Sequence, residues 1–184
     1  MTSFLNRLRS MFKGVAPEPA RAPEPEPQPE PKGEGEACEA PLDYDKLIHL
    51  DAENLSETGI LSAYMKLQPL LKQFAESPIE VIEHIDDSEP SYAISAAGKR
   101  FQVWDSGTTN VACWERATVA FFDIVNANLQ TSSHKFYAFY GGNDLHGMFL
   151  TEEEFAAARR ALKKRSDWPW LPVDVPPYYG YPDY

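Results

Sequence analysis

With 184 residues, a net charge of −11 and only two cysteines, the sequence has room for one ordinary domain plus tails. The acidic balance excludes the basic footprint of a nucleic-acid binder. No apolar run approaches the roughly 20 residues of a bilayer-spanning helix, and the start lacks the apolar core and cleavage site of a secretory signal.

Residues 1–14 read as a short basic amphipathic helix. At about 100° per residue, Phe4, Leu5, Leu8, Met11 and Phe12 share one arc, while Arg7, Arg9 and Lys13 occupy the rest. Such a segment suits an anionic membrane surface or a groove on a partner, and one helix of this length gives only weak, reversible attachment. The alternative is a frayed end or a helix packed on its own domain. Residues 15–41 form a Pro/Glu tract expected to be an extended spacer without a core. Residues 1–13 carry +3 and residues 42–184 carry −9, so the folded part is acidic in its own right.

Residues 42–78 are expected to be helical. Ile60, Tyr64, Leu67, Leu71 and Phe74 recur at helical spacing, Ser56 suits the N-cap, Gly59 is a weak point, and Pro69 falls on the solvent side. Residues 79–105 predict a three-stranded meander, with turns at 86–90 and 97–99. Residues 111–130 carry apolar side chains around half the circumference, which predicts a helix covered from more than one side. Asn128 falls inside that apolar arc, as a bonded core group or a site residue. Cys113 sits there too, which argues for an inert thiol, and Cys38 lies in the Pro/Glu tract. No disulfide is expected, and a reducing, cytoplasmic setting follows, with the inner membrane surface as the place where residues 1–13 would hold the chain.

The stretch 135–164 agrees with itself at several levels. Phe136, Ala138 and Tyr140 alternate with Tyr137 and Phe139 along one strand. A turn at 141–144 and a return strand at 145–150 follow, with Gly147 leaving room for a bulge or a close approach. Thr151 and Glu154 form a capping box, and Phe155, Ala158 and Leu162 make the inward stripe of a last helix. The tail from Ser166 is rich in Pro, Trp and Tyr. It reads as an aromatic strap over the core, or as a recognition segment whose residues 176–179 match a PPxY ligand.

No nucleophile, metal or phosphate motif is present, so no metal or cofactor is expected. His146 lies two residues from Asp144, and His84 two from Asp86; converged, they would make an acid–base or hard-metal site. The fold expected is a single α+β domain, with a largely antiparallel five-stranded sheet (meander plus hairpin) and about three helices. Its leading function is a non-enzymatic protein-binding module of the bacterial immunity or adaptor type, holding a basic partner. Tyr137, Tyr140, Asn143, Asp144, Trp168, Trp170, Tyr178 and Tyr179 are its candidate contacts. The alternatives are a small hydrolase or metal-dependent enzyme using Asp144, His146 and His84, and a peripheral membrane protein.

Overall fold

The central hairpin forms as its turn chemistry predicts. Strands β5 (His134–Phe139) and β6 (His146–Thr151) pair antiparallel, from His134↔Thr151 to Phe139↔His146. The structure, a computed structural model, describes residues 42–175 and residue 180, all within one unit, Glu39–Tyr184. The amphipathic segment, the Pro/Glu tract, Tyr178 and Tyr179 lie outside the described residues.

Three helices and the strands of the meander follow the predicted spacing, but the first helix ends at Leu71, and residues 72–78, expected to continue it, are not helical. α1 is Ile60–Leu71 and α2 is Asn110–Ala127, while α3 is Glu152–Ala161. Pro69 is exposed in the last turn of α1, and the helix runs on only to Leu71, so the missing N–H falls at its end. The meander consists of β2 (Val81–Asp86), β3 (Ser91–Ala96) and β4 (Lys99–Trp104), all antiparallel. Its second turn, Ala97–Gly98, has positive φ at both positions (49° and 74°), as two-residue hairpin loops require.

The segment before α1 departs from the helix expected there. It holds a single helical turn (Tyr44–Lys46), the short strand β1 (Ile48–His49) and a second turn (Ala52–Asn54) that widens through Leu55–Gly59. Asp51, not Ser56, caps the second turn, accepting from the N–H groups of Glu53 and Asn54 at 2.9 and 3.2 Å. The chain kinks at Glu57 and Thr58, beside the glycine singled out as the weak point, and α1 starts afresh after Gly59.

The class is α+β, and its strands number six in two sheets rather than five in one: β1-β6-β5 and β2-β3-β4. The outer edge of β5 explains the separation. Ala138 exchanges backbone hydrogen bonds with Trp170 at 2.8 and 2.9 Å. The Asn126 side-chain amide binds both Phe136 backbone groups, at 2.8 and 3.0 Å. That edge is therefore closed to the meander, which pairs within itself as a second sheet.

α2 packs against β4, β5 and α1, which accounts for its wide apolar arc. The larger core gathers Tyr64 and Leu67 of α1, Tyr92 and Ile94 of β3, Phe121 and Phe122 of α2, and Phe136 of β5. Each such ring or branched chain contributes about 1.5–3 kcal/mol by leaving water. Asn128 is a bonded core polar group. Its Oδ1 accepts from the Ile79 N–H at 2.8 Å and lies 3.1 Å from the Tyr64 hydroxyl, while its Nδ2 donates to Ile124 at 2.8 Å. A second cluster on the other face of the hairpin joins Leu42, Tyr137, Phe139, Met148, Leu150 and Ala158. Aromatics on both faces of β5 thus correspond to cover on both sides. Gly147 keeps register with Ala138 and Ile48, and the close approach there is made by the Phe136 ring, which fills the space of a Cβ. Among the described residues no helix is long and apolar enough to cross a membrane.

Candidate functional site

The residues that converge at the surface come from three stretches: the β1 segment, the β5–β6 turn and the turn at 165–167. Tyr140 starts the convergence. Strand β5 ends at Phe139, and Tyr140 adopts φ 55°, which bulky side chains rarely take. That flip moves its side chain off the face shared by Phe136 and Ala138 and sets it against the second cluster. The conformation is held from behind: the Trp170 indole N–H donates to the Tyr140 carbonyl at 3.1 Å.

The Tyr140 ring stands edge-on to His146, with centroids 5.8 Å apart. His146 pairs across the strands with His49, their rings 5.0 Å apart. Nδ1 of His146 lies 2.7 Å from the Asp144 carbonyl oxygen, which only accepts, so Nδ1 is the donor of that bond. Tyr44 completes the aromatic set. Burial, then the neighbouring Tyr140 and Asp167, raise its phenol above the ordinary value. Asn143 is exposed and reaches Glu53 at 3.4 Å. These four rings have the Glu53 carboxylate nearby through Asn143 and the Asp167 carboxylate beside Tyr44, while exposed Asp144 contributes its backbone carbonyl and Asp51 lies two residues past His49. Asp51 itself has φ 127°, so this face carries a second strained residue. Beside it, a depression of about 390 Å³ between β1 and α1 is lined by His49, Asp51, Asn54 and Lys66 among others.

The residues proposed from the sequence are redistributed by the fold. Tyr140, Asn143, Asp144 and His146 come together at this face. Tyr137 is 2 % exposed and stacks on Phe155 at 4.4 Å, so it serves the core rather than a partner. Trp170 is 8 % exposed, with backbone and indole both engaged by the hairpin, so it is the strap rather than a contact. Trp168 is partly buried, donates to the Leu162 carbonyl at 2.8 Å and carries the Arg159 guanidinium 4.5 Å above its ring.

The two Asp/His pairs stay on different sheets. His84 lies on β2 with Nε2 2.9 Å from the Ser95 hydroxyl. The Asp86 carboxylate accepts from Ser88 and Glu89 in its own turn, which holds it below the ordinary carboxylate range. At His146 the backbone carbonyl of Asp144 orients the imidazole, and the expected carboxylate–imidazole pair does not form. Among the described residues no three His, Cys, Asp or Glu side chains are grouped to hold a metal ion. The Cys113 thiol is partly buried and pushed up by desolvation, as an unreactive thiol should be.

Tyr44, His49 and Glu53 were not singled out by sequence reasoning. Their segment has the pattern of a helix, and a two-residue strand leaves no period to detect. Comparison with family models, with curated proteins and with solved structures finds no match.

Proposed function

We propose that the protein is a non-enzymatic binding module of the immunity or adaptor kind, which holds a basic protein through the face around Tyr140. The observation that carries this reading is the Tyr140, His146, His49 and Tyr44 ring set with Glu53 and Asp167 beside it and Asp144 exposed in the adjoining turn. Tyrosines give large contact area at low entropic cost, and their desolvated centres are where binding energy concentrates. The carboxylates around them attract a cationic surface and reject an anionic one. Strained Tyr140 presents its ring already oriented, which lowers the ordering cost on binding.

Affinity capture from the native cell tests the reading, with the wild-type chain and a Glu53→Lys/Asp144→Lys variant side by side. Both positions are outside the core, so the variant should keep its fold by circular dichroism. The wild type should retain one stoichiometric basic protein, and the double variant should lose it. Equal retention by both chains, or no stoichiometric partner on either, overturns the proposal.

A further inference from the structure

The hydrogen-bond phase of the hairpin identifies a second binding element. Phe136 and Ala138 direct their backbone groups away from β6, to Asn126 and Trp170. In an antiparallel pair the direction alternates, so Lys135, Tyr137 and Phe139 turn toward β6. Their partners Leu150, Met148 and His146 then turn toward β5. Gly147, Phe149 and Thr151 consequently face the opposite edge. The contacts there agree. The Leu145 carbonyl accepts from Leu50 at 2.8 Å, Gly147 lies opposite Ile48, and the Thr151 N–H donates to Glu154 at 2.8 Å. No strand lies opposite Phe149 among the described residues, and unlike Thr151 it has no side chain in a strand's place. The residue in register would be Lys46, which has left the sheet in the turn Tyr44–Lys46.

A groove of about 620 Å³ opens beside that edge. Its floor includes Leu47, Leu70, Phe74 and Phe149, and its rim carries the carboxylates of Asp43, Asp45 and Glu154. The one rim ammonium, Lys46, lies 3.3 Å from Asp43 and so offsets only part of the negative charge. Within the floor, Phe149 stacks on Phe74 at 4.4 Å and meets Phe136 at 4.7 Å.

We infer that this groove takes an extended basic segment of the partner protein as an added strand. One residue of the segment exchanges both backbone hydrogen bonds with Phe149. Neighbouring apolar side chains cover the floor, and Lys or Arg side chains reach Asp43 and Asp45. An extended chain is required because a helix has already used the backbone groups that Phe149 needs. A basic one is required because the rim is acidic. The inference rests on the proposed basic partner and adds the mode by which part of it is held.

The probe is acetyl-Lys-Val-Lys-Val-Lys-Val-amide, with a Glu/Val peptide as control, read by amide hydrogen exchange on the full-length chain. At about ten times its dissociation constant, the Lys/Val peptide should slow exchange at the Phe149 amide about tenfold, with little change at Gly147. The control should leave Phe149 unchanged, and Asp43→Asn/Asp45→Asn should weaken the Lys/Val peptide severalfold. No protection at Phe149, or equal protection by both peptides, overturns the inference. So does a Phe149 amide protected in the free protein in a concentration-dependent way, since a second copy would then occupy the edge. The Glu53→Lys/Asp144→Lys chain separates the two proposals: it should lose the captured partner and still protect Phe149 with peptide. Capture without peptide protection sinks the groove alone, whereas peptide protection without any native partner sinks the binding-module reading and, with it, the partner as the source of the strand, leaving only a groove that binds extended basic peptide.

Discussion

Asn126 shows how one side chain can stand in for a strand. Its amide presents a donor and an acceptor in the spacing of a peptide group, and the fully buried Phe136 exchanges both backbone bonds with it. Asn126→Ala should therefore strand a buried N–H and a buried C=O together. The expected loss is about 2–4 kcal/mol in urea unfolding, near the sum of two unsatisfied groups. A loss under about 0.5 kcal/mol, the scale of a neutral surface change, would show that the amide is dispensable. Asn126 was legible only as a polar residue on the outer strip of a helix. Asn128, two positions on, was legible as a core polar group because it broke an apolar arc. The difference is instructive: helical period reports which residues leave water, but not which strand will pass in front of a polar one.

At the level of elements, the start of α3 behaves as its sequence demands. Thr151 accepts from the Glu154 N–H at 3.2 Å, and Glu154 returns the bond to the Thr151 N–H. Those bonds, the backbone one first, hold the Glu154 carboxyl below its ordinary value of 4.5. A depressed folded-state value means stability that is present above pH 4.5 and lost as pH falls through the lower folded value. Wild type should therefore lose more Tm than Glu154→Gln as the pH is lowered from neutrality through that range. The amide keeps an acceptor but cannot titrate. Parallel Tm–pH curves for the two proteins would rule the carboxylate out as a contributor. The group is well exposed, so solvent screening keeps the effect small. The opening segment behaves in the opposite way. Local propensity over residues 42–59 allowed helix, yet β1 forms because Ile48 and Leu50 gain an edge on β6 and a place in the core. Tertiary pairing overrides a local preference worth only tenths of a kcal/mol per residue.

For the whole molecule, charge is the dominant long-range quantity. Residues 42–184 carry −9, and the ion pairs among the described residues are Lys46–Asp43 and Lys99–Asp123, both solvent-exposed. Exposed pairs contribute little, so net self-repulsion should outweigh them. Raising sodium chloride from about 10 mM to about 150 mM shortens the screening length from ~30 Å to ~8 Å. The Tm of the free protein should rise over that range by a few degrees, and a fall would mean that attractive pairs dominate. The sequence by itself determined the α+β class, the meander, the hairpin with its capped helix, and the acidic character. Each of these is a sum of short-range terms: alternation, turn chemistry, capping and charge count. The division of the strands into two sheets, the closure of one β5 edge by Trp170 and Asn126, and the shared face of Tyr44, His49 and Tyr140 arise in the folded chain alone. These depend on which residues far apart in the chain meet, and no local period encodes that, because a strand edge is satisfied by whatever group arrives with a donor and an acceptor at the right spacing.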